Sequence, residues 1–267
     1  MKKASGFITL MTDFSLADGF VSAMKGVIYS INPKAIITDI THEINPYNLL
    51  GASFIFNSVY RFFPKGTVHV IVVDPGVGSE RRPLAIETED YYFVAPDNGV
   101  LSLAIESEKV LKIVELSKPK YFLSKISNTF HGRDIFAPVS ANLSLGVKLD
   151  LMGNRIDDIV KISAPEPKVL ENEIIGEIIY IDRFGNLITN VSMDIIEKLS
   201  VGKRIIIIAG NKTIHKISRS YADAPIGQLL AIYNSFGNLE IAVNTGNASK
   251  TLNMQKGDTF TIQILDK

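Results

Sequence analysis

Apolar positions in the first hundred residues fall into short runs separated by stretches of helical spacing. Phe7 to Thr12, Ala35 to Thr38, Thr67 to Val73 and Tyr91 to Ala95 are apolar, β-branched or aromatic runs of the kind buried in parallel sheets. Phe20 to Ile31 and Asn48 to Phe63 lie between them with helical spacing, and Pro33 and Pro64 follow closely, where a helix cannot continue. Strand, helix, strand is the βαβ rhythm, so the pattern predicts an α/β N-terminal domain with a mostly parallel sheet.

From about residue 172 the pattern changes to strands separated by turn residues: Ile174 to Ile181, Arg204 to Ala209, Thr213 to Ile217, Leu229 to Tyr233, Leu239 to Val243 and Thr259 to Leu265. Such spacing predicts a small antiparallel barrel or sandwich. The joint is expected at Ala164-Pro165-Glu166-Pro167, because two prolines around an acid favour an extended, exposed segment. The expected domains are therefore residues 1–165 and 170–267.

Composition narrows the chemistry. With 46% hydrophobic and 21% charged residues, the 267-residue chain has ample material for packed cores. Its 28 Lys plus Arg balance 28 Asp plus Glu, which does not recommend a nucleic acid or an anionic membrane as partner. The absence of cysteine removes disulfides, thiolate metal sites and cysteine nucleophiles. The apolar stretch after Met1 to Gly6 meets Asp13 too soon for a signal-peptide core or membrane span, and a cytoplasmic protein is expected. With no His-Glu-x-x-His or comparable spacing, no metal is expected.

Four predicted strands end at or run into an aspartate: Asp13, Asp39, Asp74 and Asp97. Ligands of open α/β sheets bind beyond the carboxyl ends of the strands, so these acids mark the expected site, although aspartate is also common where strands become turns. Asp74 opens Asp74-Pro75-Gly76-Val77-Gly78-Ser79-Glu80-Arg81-Arg82, where Arg81 occupies the third-glycine place of a dinucleotide fingerprint and no Walker lysine follows. His131, set among polar and small residues in Asn128-Thr129-Phe130-His131-Gly132-Arg133-Asp134, is the most suggestive of four histidines. His69 and His215, within strand patterns, are read as structural, and His42 as a loop residue or a ligand. In the second half, Asp182-Arg183-Phe184-Gly185-Asn186 puts an acid, an aromatic and an amide in one turn, and Asn234 to Gly237 and Asn244 to Ala248 form two more. Hairpin chemistry alone would account for such turns.

Taken together these segments resemble the S-adenosyl-L-methionine hydroxide adenosyltransferases, relatives of the adenosyl fluorinases and chlorinases. The resemblance covers nearly the whole chain. It rests on Thr12-Asp13-Phe14 with Asp18, Asp74 to Gly78 with Arg81, Ala95 to Gly99, Phe130 to Asp134, Asp182 to Asn186, and Asn234 to Gly237 through Asn247-Ala248. The family implies an α/β N-terminal domain, a C-terminal β-barrel, and a homotrimer whose sites lie between one subunit's first domain and its neighbour's second. It implies attack of water or hydroxide on the ribose C5′ of S-adenosyl-L-methionine, releasing adenosine and L-methionine. S-adenosyl-L-methionine is then substrate, and no cofactor is required. Catalytic roles carry over to Asp74, Arg81 and His131. By the same resemblance Asp13 holds the ribose hydroxyls, Asn186 and the backbone near Val243 read the adenine, and Tyr47 and Tyr221 form aromatic walls. Asp182 and Ser235 meet the methionine amine and carboxylate, with Asp18 nearby, and Phe184 and Glu240 complete the substrate-binding set.

The chain departs from the halogenases in three respects. It lacks the fluorinase insertion between Arg81 and Tyr91, and Asp74 and His131 replace tyrosines, both of which favour water over halide. Phe236 stands where a fluorinase has an arginine near the substrate carboxylate. Two rival readings remain: a nucleoside or S-adenosyl-L-methionine binding module without turnover, which would not need Asp74, Arg81 and His131 together, and a halogenase.

Overall fold

The computed structural model describes residues 4–266. Residues 1–3, which precede the apolar stretch that meets Asp13, and residue 267 lie outside the described residues. The chain divides into two compact units, one running to Ser163 and the other from Ala164.

The first unit contains β1 (Phe7–Thr12), α1 (Phe20–Ile31), β2 (Ile36–Thr41), α2 (Leu49–Val59), β3 (Val68–Val72), β4 (Pro83–Thr88), β5 (Tyr92–Pro96), α3 (Ser102–Glu106), β6 (Val110–Leu116), α4 (Ala137–Ser144) and β7 (Gly153–Ile156). They form one seven-stranded sheet in the order β2-β1-β3-β5-β4-β6-β7. Strand periodicity of two sends Ile8, Leu10, Val68, Val70 and Val72 to one face with Met24 and Ile28 of α1 and Val139 and Leu143 of α4. Met11, Ile71 and Phe93 go to the other face with Ala52 and Phe56 of α2 and Ala104 of α3. Both faces are therefore covered, which is why the central strands β1, β3 and β5 are mainly apolar. Truncating Phe56 or Phe93, each fully buried, to alanine would cost about 3–5 kcal/mol.

The expected mostly parallel sheet is corrected here: the sheet is mixed. β1 pairs parallel with β2 and β3, and β3 with β5, but the pairs β4–β5, β4–β6 and β6–β7 are antiparallel. The reason is the connection between β4 and β5. Thr88 and Tyr91 close a tight turn through the Tyr91 carbonyl, which accepts the Thr88 N–H at 2.9 Å. So short a link joins antiparallel strands only, since parallel neighbours need a crossover.

The second unit contains β8 (Lys168–Val169), β9 (Glu173–Ile181), β10 (Leu187–Ser192), α5 (Met193–Leu199), β11 (Arg204–Ala209), β12 (Lys212–Ile214), β13 (Ile217–Ser218), β14 (Leu229–Tyr233), β15 (Asn238–Val243), α6 (Ala248–Leu252) and β16 (Thr259–Leu265). Its sheet runs β12-β11-β16-β9-β10-β15-β14-β13, with β8 on β9, and β12 returns against β14, so the sheet curls into a nearly closed barrel. Apart from β13 and β14, its pairs are antiparallel. Inward residues alternate along β16, where Phe260, Ile262 and Ile264 join the core with Ile174, Leu187 and Ile241. The run expected as one strand from Thr213 to Ile217 is broken. His215 is exposed between β12 and β13, because the chain leaves one edge of the barrel and joins the other there.

Candidate active site

The order β2-β1-β3 means that the chain leaves β1 to one side for β2 and returns on the other side for β3. Crevices of open α/β sheets form beyond strand ends at such a reversal. Thr12 is in register with Val72, so Asp13 and Asp74 both emerge at this end of the sheet.

Asp74 begins a loop that folds back on itself. The Val77 N–H donates to the Asp74 carbonyl at 3.2 Å, and the Ser79 hydroxyl donates to the Gly76 carbonyl at 2.6 Å. Gly78 has φ +78°, and a Cβ there would sit 2.3 Å from the Asn128 carbonyl oxygen. Glycine thus allows this loop to pack on the segment leading to His131. The approach brings Arg81 between Asp74 and His131. Arg81 Nε donates to Asp74 Oδ1 at 2.9 Å, and Nη2 donates to Asp74 Oδ2 at 2.5 Å and to His131 Nδ1 at 2.8 Å. The Asp74 and Arg81 side chains are 5% and 8% exposed, and the guanidinium lies over the Phe136 ring. Arg81 Nη1 is buried without a hydrogen-bond partner among the described residues. His131 immediately precedes a turn of π-helix, Gly132–Phe136, a local widening often found at functional sites.

These contacts set the protonation pattern. A guanidinium has no lone pair, so His131 Nδ1 accepts and a neutral ring carries its proton on Nε2. Burial first, and then the Arg81 charge, hold the His131 pKa below the ordinary histidine value. The cluster consequently offers a clamped carboxylate with spare lone pairs, a buried unpartnered guanidinium nitrogen, and an imidazole N–H donor. Asp74 and His131 are therefore not equivalent as proton acceptors, because the basic nitrogen of His131 is occupied by Arg81.

The other strand-end acids are placed differently. Half-buried Asp13 accepts the Tyr47 N–H at 3.0 Å through Oδ2. Tyr47 is 70% exposed with φ 64°, and Asp18 is exposed in the loop after β1. Asp39 binds Lys25 Nζ at 2.6 Å and faces His42. Asp97 is held by Arg82 and by the Val160 N–H, tying the end of β5 to the segment after β7.

In the second unit, the turn from Asp182 to Asn186 is organised by one carboxylate. Asp182 Oδ1 accepts the N–H groups of Phe184 and Asn186, and Oδ2 accepts Asn186 Nδ2, at 2.8 to 2.9 Å. The amide nitrogen of Asn186 is thereby engaged and its oxygen is left as an acceptor. Gly185, at φ +85°, lies so close to the Asn247 side chain that a Cβ would overlap it at 2.1 Å. The result is a cavity of about 650 Å³ lined by Phe184, Asn186, Tyr221 and residues 243–247, which is in the range that holds small ligands. The Tyr221 hydroxyl donates to Glu240 Oε1 at 2.6 Å. Burial, with a smaller contribution from Asp182, raises the Glu240 pKa against the opposing effect of Tyr221. Burial and Glu240 push the Tyr221 pKa up. Ser235 is exposed in the Asn234–Asn238 hairpin, at the end of β15 opposite Val243.

Sequence reasoning named the residues of both clusters but not the free Arg81 Nη1, the ring of Phe136 beneath Arg81, or the bond from Thr12 Oγ1 to His42 Nδ1 at 2.8 Å. The apolar character of Phe136 inside a helical run offered no signal for the first two. The third joins residues 30 positions apart.

The chain matches the SAM hydroxide adenosyltransferase N-terminal domain over residues 8–153 and the corresponding C-terminal domain over residues 176–261. It is similar to an (R)-S-adenosyl-L-methionine hydrolase of Methanocaldococcus jannaschii, 38% identical over 96% of this chain and 95% of that protein. A fluorinase of Nocardia brasiliensis is 29% identical, with 96% of each chain covered. A solved structure of an uncharacterized conserved protein from Thermotoga maritima is 40% identical with a TM-score of 0.90, covering 96% of this chain and 99% of that one.

Proposed function

Since the chain belongs to the SAM hydroxide adenosyltransferase family, we propose that it is an enzyme that hydrolyses S-adenosyl-L-methionine to adenosine and L-methionine. The observation that carries this reading is the arrangement of Asp74, Arg81 and His131 around one guanidinium. Water attacks the ribose C5′ opposite sulfur. The new C5′–O bond forms as the C5′–S bond breaks, its electron pair neutralises the sulfonium, and one proton is released. Methionine leaves as a neutral thioether, so no acid is needed at the leaving group.

The protein's task is to place and activate water, and orientation alone contributes roughly 7 to 11 kcal/mol in near-ideal geometry. Asp74 accepts the proton, because its lone pairs remain available while His131 Nδ1 is occupied. Arg81 Nη1 stabilises the emerging hydroxide, and the Nε2–H of His131 orients it. Asp13 holds the ribose hydroxyls. Asn186, Phe184, Tyr221 and Val243 surround the adenine, and Asp182, Asp18, Ser235 and Glu240 serve the methionine end. The oligomeric state that accompanies this reading is a homotrimer with sites shared between subunits. S-adenosyl-L-methionine is substrate, with no cofactor, and the location is cytoplasmic; among the described residues no helix is long and apolar enough to cross a membrane. The (R) designation of the hydrolase relatives extends to this chain as a preference for that sulfonium epimer.

Fluorinases among the relatives make halide attack the second reading. The Asp74 carboxylate disfavours it, since a negative charge repels halide but accepts hydrogen bonds from water. Turnover in heavy-oxygen water tests the proposal: the label enters the 5′-hydroxyl of adenosine. Methylthioadenosine, S-adenosylhomocysteine or a 5′-halogenated nucleoside as the leading product would overturn it.

A further inference from the structure

We infer that His42 is a positioning residue for Asp13, and through it for the ribose hydroxyls of the substrate; this rests on the proposed ribose role of Asp13. His42 is only 3% exposed, although it lies in the loop after β2. Its Nδ1 is 2.8 Å from Thr12 Oγ1, and its carbonyl accepts the Ser15 N–H at 2.8 Å. The residue before Asp13 and the second residue after it are thus both fastened to His42. Thr12 Oγ1 also accepts the Phe14 N–H at 3.2 Å, so the hydroxyl proton is free to donate to Nδ1.

The other side of the ring fixes this direction. His42 Nε2 lies 3.1 Å from Asp39 Oδ1 without forming a directed hydrogen bond, so the contact is mainly electrostatic. In the neutral ring the adjacent carboxylate favours the tautomer with its proton on Nε2, which leaves Nδ1 to accept from Thr12. Lys25 holds the opposite oxygen of Asp39 at 2.6 Å. Lys25, Asp39, His42 and Thr12 therefore form one polarised chain ending beside Asp13. The turn that it secures is not a relaxed one: Ser15, at φ 57°, sits in the left-handed region, as does Tyr47, at φ 64°, in the separate loop before α2, a conformation that costs non-glycine residues energy and persists only where surrounding contacts impose it. The Tyr47 N–H then supplies the direct hydrogen bond to the Asp13 carboxylate.

Binding of adenosine and of 2′,3′-dideoxyadenosine to the full-length protein, measured by calorimetry, separates positioning from general stability. If His42 acts through Asp13 on the hydroxyls, His42→Ala weakens adenosine binding about tenfold, the scale of one charge-assisted hydrogen bond. Binding of the dideoxy compound, which has no hydroxyl for Asp13 to hold, then changes less than about twofold. Thr12→Val should reproduce this selective loss. His42→Gln, which can accept from Thr12 and donate toward Asp39, should restore most of the preference, and it keeps the test valid if His42→Ala does not fold. Asp13→Ala is the reference and should abolish the preference for adenosine. Equal loss of both ligands, or an intact preference, in the folded His42 and Thr12 variants overturns the inference while leaving Asp13 in place. An intact preference in Asp13→Ala overturns the ribose assignment itself and the role of His42 with it.

Discussion

One nitrogen of Arg81, Nη2, donates both to Asp74 Oδ2 at 2.5 Å and to His131 Nδ1 at 2.8 Å. The arginine therefore fixes the direction of the imidazole while it clamps the carboxylate. An ammonium could supply the charge but not the planar fork.

Replacing Asp74 by Asn, His131 by Ala or Arg81 by Lys should each reduce turnover by roughly 10²-fold or more, the scale of positioned acid–base groups. Steady-state rates of adenosine release check this. Wild-type turnover in any one of the three would remove that residue from the water-activating cluster.

The pH dependence of His131 follows from burial and the Arg81 charge, which both favour the neutral ring. Activity that requires this neutral form is retained as pH falls through about 6.5, the ordinary histidine value, and is lost only at lower pH. In Arg81→Met the opposing charge is gone, so the midpoint of His131 should move upward. An NMR titration of the imidazole shows the direction, and an unchanged or lower midpoint would contradict the electrostatic account.

His69 should make the fold acid-sensitive. Its ring is fully buried, bonded to Thr9 Oγ1 through Nδ1 and stacked on Phe93, and burial lowers its pKa to about 3. Unfolded histidine binds a proton below about pH 6.5, whereas folded His69 does not until near pH 3. The unfolded state takes up more protons across that window, so stability falls as pH falls. The double change His69→Leu with Thr9→Val removes both partners and should flatten the dependence of the urea midpoint on pH between about 6.5 and 4. An equally steep dependence in the double variant would assign the acid sensitivity elsewhere.

Much of this architecture can be read from the residues, for identifiable reasons. Phe7–Thr12, Phe20–Ile31, Arg204–Ala209, Leu229–Tyr233 and Thr259–Leu265 have the bounds that their apolar patterns predict. The mixed character of the first sheet was hidden because β4 and β6 carry charged residues at Glu87, Lys112 and Glu115 and no helix separates β4 from β5. β10 was missed as well: Leu187–Ser192 includes Asn190, and Asn190 is tolerated there because its side chain bonds the Glu177 N–H and the Pro165 carbonyl. At the site, Arg81 and His131 are 50 residues apart, and no local pattern reveals that one nitrogen would join them. Motif blocks could nominate the residues, but the direction of each proton needed the geometry.

Asn186 should discriminate adenosine from inosine. One N–H of its Nδ2 is held by Asp182, which fixes the amide, and the proposed adenine contact uses the oxygen, an acceptor for the 6-amino group that inosine lacks. Leaving a polar group unpaired costs about 1–3 kcal/mol, which sets the expected preference for adenosine. In Asn186→Ala the two nucleosides should bind alike, as read by calorimetry. A preference that survives the substitution would move adenine recognition to the backbone of residues 243–247.

Mixed oligomers distinguish which subunits supply a site. Asp74 belongs to the first compact unit of the chain and Asn186 to the second. With S-adenosyl-L-methionine well below saturation, an Asp74→Ala protein and an Asn186→Ala protein should each be strongly impaired as pure oligomers. If the proposed homotrimer shares its sites between neighbours, refolding an equal mixture places an intact Asp74 half beside an intact Asn186 half at about a quarter of the sites, since the two halves come from different subunits chosen independently. Activity should therefore reappear in the mixture and scale with the fraction of mixed trimers seen by native mass spectrometry. If every site is built from one chain, each site carries one lesion whatever the mixture. Persistent inactivity in proven mixed trimers would then rule out sharing, and a mass corresponding to any state other than three copies would replace the trimer itself.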